Sequence, residues 1–480
     1  MSHAKQEGSG SRPLVVDQSL HFPLSFAQQR LWILDQLDPG KPTYNLPVIL
    51  KVSGNLDVAA LHQSFTEIAR RHETLRTSFH SRRAEVYQLI SPQPNLLLPL
   101  IDLSCLDEQS RNEEKLRLAR QEATTPFDLR VSPLIRVRLV REQPDLHLLL
   151  ITMHHIISDG WSLGVLVKEM SHLYSRLSKG KSADLDELQI QYADYAVWQR
   201  EWLSGEELER QMSYWRQRIE AGAEIAEIAS DYPRPAVATH RGASERIKLS
   251  REMSEGLKAV SRQQGATLFM VMLAGWKVLM YRYSGQTRVR VATAIANRNR
   301  AEIEGLIGFF VNTLLIESRI RGEMRVREVI GEVREAALGA YAHQDVPFEK
   351  VVEEMEPERD LSRQPLFQVM FVLQNAPSPA VESSGIKVRW MDVDTESAHF
   401  DLTVYTMEIE GEMVVTGEYR KEMFEKERME QMMKHYKKVL EKIVEDVEEK
   451  VMDIELVESG AEVKTGAAVH HVDDSFSFNF

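Results

Sequence analysis

The chain has 480 residues, which is more than one compact core usually contains and predicts at least two domains. Hydrophobic residues make up 43% and charged residues 27%, a composition that is typical of folded globular proteins and argues against extensive disorder. A net charge of −13 provides no basic surface for nucleic acid or anionic membranes.

A single cysteine, Cys105, excludes an internal disulfide and a cysteine-rich metal site, so we expect a cytoplasmic protein in which this thiol is buried. Residues 1–19 are largely polar and include a Gly/Ser-rich stretch, which predicts a flexible leader and not a secretory signal. The most hydrophobic run, residues 266–276, is about half the roughly 20 residues needed to span a bilayer. It predicts a buried helix.

Helical and strand-like segments alternate in the first half of the chain. Ser25 stands three residues before Gln28, a capping-box spacing that predicts a helix start. Two apolar, β-branched segments flank a turn at residues 143–145 and predict a hairpin whose second strand leads into HHIISDG at residues 154–160. The predicted elements are helices from about Ser25 and Asp57, a strand at 75–79, strands at 134–140 and 147–153, and a helix over 161–177.

The polar segment 178–189 predicts a linker, so that a first lobe spans residues 20–177 and a second lobe residues 190–456. Residues 457–480 lack core periodicity and predict a mobile tail. Elements predicted in the second lobe are a helix from about Ser254, the buried helix at 266–276, strands at 289–294, 367–373 and 400–407, and helices over 326–337 and 429–443.

The segment HHIISDG is the strongest candidate for chemistry, because two histidines end a buried strand and an aspartate and a glycine follow. An imidazole exchanges protons near neutral pH. The aspartate can orient a loop, and Gly160 permits close backbone approach or a positive φ. A histidine pair alone is weak support for a catalytic site.

HHIISDG matches the HHxxxDG motif of condensation domains of nonribosomal peptide synthetases, which are related to chloramphenicol acetyltransferase. Six further segments resemble the other blocks of that family and stand in the same order, over residues 20–456. They are SFAQQRLWILDQL from Ser25, RHETLRTSF from Arg71, YADYAVWQR from Tyr192, IGFFVNTLLI from Ile307, AHQDVPFEKVV from Ala342 and RDLSRQPLFQVMFVLQN from Arg359.

The resemblance implies an α/β fold of two acetyltransferase-like lobes that form a V-shaped pseudo-dimer around a central tunnel. It also implies that an acceptor amine attacks a donor thioester while carrier proteins present both substrates on phosphopantetheine arms. His155 is the expected catalytic residue. It would either accept the proton of the amine or position the nucleophile and stabilise the oxyanion. No covalently bound cofactor and no metal site are expected.

The other motif residues are expected to be structural. His154 would be buried and hydrogen-bonded, and Asp159 would form a buried ion pair for which Arg298 is the first candidate and Arg300 and Arg76 are competitors. The resemblance assigns Gly160 to loop geometry. Two further residues are expected in the tunnel wall or between the lobes, and these are Trp161 and Asp401.

Several finer predictions accompany the resemblance. SDGWS and IGFFVNTL favour a condensation domain with an L-configured donor, over the alternative of an epimerisation domain. A domain that only recruits a partner protein is the non-enzymatic alternative. The sequence contains no adenylation or carrier domain, which predicts either a free-standing enzyme that meets carrier proteins in trans or a piece of a longer protein. The alternating tail at residues 473–480 favours a docking strand for a downstream synthetase protein, and the alternatives are a frayed terminus, a cloning remnant or a strand that folds back on its own lobe.

Overall fold

The computed structural model describes residues 20–456, apart from 38, 84, 220–225, 236–240, 356–362, 375–380, 384 and 392–397. The predicted leader, 1–19, and the predicted tail, 457–480, lie outside the described residues. The helices are α1 Phe26–Leu37, α2 Val58–Arg71, α3 Glu108–Thr124, α4 Gly160–Leu177, α5 Tyr192–Trp202, α6 Gly205–Arg218, α7 Arg251–Gln263, α8 Leu268–Ser284, α9 Ala301–Glu304, α10 Val326–Ala342, α11 Phe348–Met355 and α12 Lys426–Glu445.

Within the described residues, the strands form one three-stranded and two six-stranded sheets. They are β1 Leu20–Pro23, β2 Asn45–Gly54, β3 Thr77–Arg82, β4 Glu85–Ile90, β5 Leu100–Asp102, β6 Ile135–Gln143, β7 Leu146–His154, β8 Gly242–Leu249, β9 Arg288–Ile295, β10 Asn312–Arg319, β11 Val369–Gln374, β12 Val381–Ser383, β13 Ile386–Met391, β14 Leu402–Ile409 and β15 Glu412–Arg420.

The first lobe is built on a six-stranded sheet in the order β12-β13-β2-β7-β6-β5. Apolar residues alternate along its strands, so that one face packs on α2 and α4 and the other packs on α3. The small sheet β1-β4-β3 stands beside it. The predicted hairpin is confirmed, because β6 and β7 pair in antiparallel register.

The second lobe is built on a sheet in the order β10-β9-β11-β14-β15-β8. Its largest apolar cluster joins one sheet face to α8, α10 and α12, and the centre of α8 is buried on every side. The run 266–276, predicted as a buried helix, belongs to α8. Each lobe therefore has the sheet-and-helix composition that the sequence predicts.

One part of the predicted division is wrong. The sequence pattern places all of residues 190–456 in the second lobe, yet β12 and β13 belong to the first sheet, where β13 pairs antiparallel with β2 along its length. A strand at a sheet edge presents unpaired backbone groups that any extended segment can satisfy. The edge of β2 is satisfied by a segment distant in sequence.

The predicted capping box at Ser25 is confirmed, whereas the predicted burial of Cys105 is wrong. The capping box is present, since Gln28 N donates to Ser25 Oγ at 3.1 Å and Ser25 N donates to Gln28 Oε1 at 3.1 Å. Residues 73–76 form a 3-10 turn, and the predicted strand at 75–79 begins only at Thr77. Cys105 is exposed and not buried, because it lies in a surface turn before α3.

None of the helices described has both the length and the apolar character required to cross a bilayer.

Candidate active site

A cavity of 1570 Å³ lies between the two lobes, in the position predicted for the central tunnel. Its walls come from α1, the start of β2 and the start of α4 in the first lobe, and from β9, β11 and β14 in the second. A pocket for one small ligand has a volume of roughly 300–1,000 Å³. The cavity is therefore larger than a pocket for one small ligand.

The HHIISDG segment forms a tight connection between β7 and α4 at the wall of this cavity. β7 ends at His154, residues His155–Ile157 make one 3-10 turn, and α4 begins at Gly160. Asp159 is the N-cap of α4, because its carboxylate accepts a hydrogen bond from Ser162 N at 2.8 Å. Strand end, turn and cap together fix the backbone on both sides of His155.

His155 lines the cavity, and its orientation is set by one hydrogen bond, 2.8 Å from Nδ1 to the carbonyl oxygen of Ser158. A carbonyl can only accept, so Nδ1 bears the hydrogen and Nε2 of the neutral ring keeps its lone pair. Nε2 has no hydrogen-bond partner among the described residues. The Phe309 ring meets the imidazole edge-on, with centroids 4.7 Å apart.

Burial lowers the pKa of His155, and the nearby Arg30 guanidinium lowers it further, whereas the Asp159 carboxylate and the Ser158 carbonyl act in the opposite direction. The ring is therefore neutral at physiological pH. A neutral imidazole with a free Nε2 lone pair can accept a proton from a group that enters the cavity.

His154 points away from this chemistry. It is 3% exposed, is not part of the cavity wall, and its Nδ1 accepts a hydrogen bond from Ile156 N at 3.1 Å. The rings of Tyr44 and Phe127 lie edge-on to it, with centroids 6.2 and 6.1 Å away. Burial lowers the pKa of His154 to about 3, so the ring stays neutral and holds the turn.

Asp159 pairs with Arg298, and neither Arg300 nor Arg76 takes that place. Arg298 Nη2 lies 3.2 Å from Asp159 Oδ1, and the two side chains are 1% and 0% exposed. Asp159 Oδ2 also accepts from Phe310 N at 3.0 Å. Arg298 Nη1 donates to the carbonyls of Ile303 and Leu306, both at 2.7 Å. The pair thus joins the first-lobe turn to the segment that precedes β10.

Ser162 is a member of this network that the sequence did not single out. Its hydroxyl donates to Asp159 Oδ1 at 2.7 Å and accepts from Arg298 Nη2 at 2.9 Å and from Gly308 N at 3.0 Å. The spacing of a serine three residues after an N-cap aspartate could have indicated it. A Cβ at Gly308 would lie 2.0 Å from the Tyr192 ring, so only glycine permits this close approach.

Trp161 lies where it was predicted, in the cavity wall and between the lobes, since its Nε1 donates to the Glu304 carbonyl at 2.9 Å. Gly160 also lines the cavity, and it uses neither a positive φ nor a close backbone approach. It is the first residue of an ordinary helix, and a Cβ there would have no neighbour within 4 Å.

The prediction for Asp401 is wrong as well. It is buried within the second lobe, where it accepts from Arg234 Nη1 at 2.9 Å and lies 3.4 Å from Arg420 Nη1. It does not line the cavity, although its neighbours His399, Phe400 and Arg420 do. The Asp401 carboxylate is engaged by two arginines of the second lobe, Arg234 and Arg420.

A second ion pair joins the lobes at the cavity, and the sequence pattern did not reveal it. Arg30 Nη1 of α1 lies 2.7 Å from Glu349 Oε1 of α11, and both side chains are 31% exposed. Both residues lie inside family-like blocks, but nothing in their spacing pairs them. Among the described residues, no group of three His, Cys, Asp or Glu side chains could hold a metal ion.

Comparison with protein families gives a match to the model described as "Condensation domain" over residues 18–464. Curated relatives are long synthetases. One protein of the linear gramicidin synthase of Brevibacillus parabrevis is 43% identical over 94% of this chain, which corresponds to 9% of that protein. Another protein of the same synthase is 45% identical over 90% of this chain and 6% of its own length. The chain thus spans less than a tenth of these two relatives.

Solved structures agree in fold. A four-domain nonribosomal peptide synthetase bound to AMP and glycine superimposes with a TM-score of 0.82 at 23% identity, over 93% of this chain and 35% of that one. The X-domain from teicoplanin biosynthesis gives 0.82 at 25% identity, over 93% and 100%. The first condensation domain of the calcium-dependent antibiotic synthetase gives 0.77 at 20%, over 92% and 100%.

Proposed function

Because the chain belongs to the condensation-domain family of nonribosomal peptide synthetases, we propose that it forms an amide bond between a donor acyl or peptidyl thioester and an acceptor amine. The observation that supports this most directly is the His155 ring at the wall of the interlobe cavity. Its Nδ1 is engaged by Ser158 and its Nε2 is available to a substrate.

In the proposed reaction the acceptor nitrogen attacks the thioester carbonyl carbon. The C–N bond forms, the C–S bond breaks, and the donor arm leaves as a thiol. His155 Nε2 accepts the proton that the amine loses and returns it to the departing sulfur. The lowered pKa of His155 favours this base role over a role as an oxyanion donor, which would need a hydrogen on Nε2.

Donor and acceptor carrier proteins are the proposed partners, each presenting its substrate on a phosphopantetheine arm. The cavity volume of 1570 Å³ supports this, since two thin arms and two acyl groups need more room than one ligand pocket supplies. The chemistry that the arms provide is the thioester itself. The protein's side chains contribute positioning, exclusion of water and proton transfer.

The decisive experiment mixes the protein with a donor-loaded and an acceptor-loaded carrier protein and follows the intact masses. His155→Ala should lower the rate of product formation by roughly 10²- to 10⁴-fold, the usual contribution of a general base. His172→Ala is a matched control, because it removes an exposed imidazole of α4. Equal rates for wild type and His155→Ala, with uncatalysed aminolysis subtracted, would contradict the proposal.

The finer predictions are tested in the same assay. We propose an L-configured donor, which predicts faster condensation for the L than for the D thioester of one amino acid. An epimerisation domain would form no condensed product, and in D₂O it would change the mass of the loaded carrier protein only by exchange of the α-hydrogen for deuterium. The free-standing state and the in-trans encounter predict turnover with carriers on separate polypeptides.

A recruitment domain is the second candidate, and the 25% identical X-domain, whose structure was also solved as a complex with OxyB, favours it. The intact His155, Asp159 and Gly160 weigh against it. Folded protein that yields no condensed product from any donor and acceptor, while it binds a partner enzyme, would support recruitment.

The docking role predicted for the C-terminal segment concerns residues outside the described range. Deletion of residues 470–480 should lower turnover at low carrier concentration and leave it unchanged at saturation, because tethering raises effective concentration only. Identical partner affinity for the truncated and full-length proteins would remove this role.

A further inference from the structure

The central strands of the two six-stranded sheets differ in how they are covered. In the first sheet, β2 and β7 are buried on both faces: Leu50 and Leu149 are 0% and 1% exposed on one side, and Ile49 and Leu150 are 8% and 2% exposed on the other. Leu118 of α3 packs on that second side. The middle of these two strands is therefore covered on both faces, and β2 reaches the cavity only through its first residues, 45–48.

In the second sheet, β11 and β14 occupy the same two central positions. Phe371 and Val404 are paired in register and both 0% exposed, on the face that packs against the helices. On the opposite face Val372 pairs with Tyr405, and both side chains are only partly buried and line the cavity. The strands that form the centre of this lobe therefore expose one face to the substrate chamber.

The open face has a distinct chemical character. Neighbouring strands lie about 4.8 Å apart, so its side chains form one continuous surface. Met370 and Met407 contribute thioethers, which adapt to ligands of different shape. Arg420, a basic side chain of the cavity wall, is compensated by Asp401. The cavity-lining residues of this face, which we call the open sheet face, are Ala294, Met370, Val372, Gln374, Tyr405 and Met407, all of them uncharged.

We propose that the open sheet face is the surface that selects the side chain of an aminoacyl substrate, and that it accepts uncharged, largely apolar side chains. The inference rests on the proposed function and names the substrate class for the same cavity. Burying a charged side chain against thioether and valine groups would cost its solvation without a partner, whereas an apolar side chain gains about 25 cal/mol per Å² buried.

The test uses the full chain with carrier proteins loaded with glycyl, alanyl, leucyl, phenylalanyl, aspartyl and lysyl groups, each tried as donor and as acceptor. Wild type should prefer leucyl and phenylalanyl over aspartyl and lysyl in one of the two positions, which identifies the substrate that contacts this face. Val372→Phe should lower kcat/KM for phenylalanyl relative to alanyl at least tenfold in that position. Met407→Ala should change the same ratio in the opposite direction.

Val311→Phe is the matched control, because it makes the same substitution in another wall of the same cavity. It should change the rates of small and large substrates by the same factor. A phenylalanyl-to-alanyl ratio that shifts less than twofold in both Val372→Phe and Met407→Ala, in protein with a wild-type melting temperature, would overturn the inference. Absence of product with wild type for every pair would instead reject the proposed function.

Discussion

The two sides of the β7–α4 connection contain the same chemical groups in opposite surroundings. Behind the connection lie His154 and the Asp159–Arg298 ion pair. The Asp159 side chain is 0% exposed and the Arg298 side chain is 1% exposed. On the cavity side lie His155 and the Arg30–Glu349 pair, in which both partners are 31% exposed. Each side thus has one histidine and one arginine–carboxylate contact between the lobes.

The residue types on the two sides are the same. Solvent access therefore decides which residues have a structural role and which are available to substrates. Behind the connection both carboxylate oxygens of Asp159 are matched by donors, and the charges cannot be hydrated if one partner is lost. On the cavity side water can screen Arg30 and Glu349, so their contact is weaker and can adjust to substrates. Substitutions on the two sides test this contrast.

Asp159→Asn should have the largest effect. Removal of one charge leaves Arg298 buried without a counter-charge, which commonly costs about 3–5 kcal/mol of unfolding free energy. We expect lower stability in urea unfolding together with lost condensation activity. Glu349→Gln is the matched control at the exposed pair and should cost about 1 kcal/mol or less. An inactive Asp159→Asn protein of unchanged stability would assign Asp159 a direct catalytic role.

His154 should make the fold sensitive to acid. Its folded-state pKa of about 3 lies below the unfolded value of about 6.5, so stability is complete above pH 6.5 and falls as the unfolded chain gains a proton. Between pH 7.5 and 5.5 this contributes about 1.4 kcal/mol. His154→Asn keeps an acceptor for Ile156 N and should lose that part of the pH dependence. Equal slopes of unfolding free energy against pH would contradict a buried, neutral His154.

Charge exchange tests the pair at the cavity. Arg30→Glu and Glu349→Arg should each slow condensation by placing like charges where the native atoms lie 2.7 Å apart, while the double variant restores the attraction. We expect the change in unfolding free energy for each single variant to be about 1 kcal/mol. If the double variant is as slow as the slower single variant, Arg30 acts on substrates directly and not through Glu349.

Arg30→Gln should have the smallest effect, visible only in the pH profile. The positive charge of Arg30 lowers the pKa of His155, so its removal raises that pKa. The acid limb of kcat/KM, where Nε2 becomes protonated and inactive, should therefore move to higher pH. Arg300→Gln outside this contact is the control. An acid limb that stays in place would separate Arg30 from the proton chemistry of His155.

Much of the local structure was predictable because it depends on neighbours in sequence. The capping box at Ser25, the hairpin before HHIISDG and the apolar run in α8 each follow from spacing within one or two turns. The strand-to-helix position of the motif also followed, which placed His155 at a strand end. The first choice of Arg298 for Asp159 rested on the resemblance to condensation domains and agrees with the structure.

What the sequence by itself determined is therefore the set of local elements and, through seven ordered blocks, the family. Only the tertiary structure decided that β13 completes the first sheet, that Arg30 meets Glu349, that Asp401 turns to Arg234, and that one face of β11 and β14 stays open. The physical reason is that periodicity reports which face of an element is apolar but not what covers that face. Contacts between segments distant in sequence depend on how the two lobes pack.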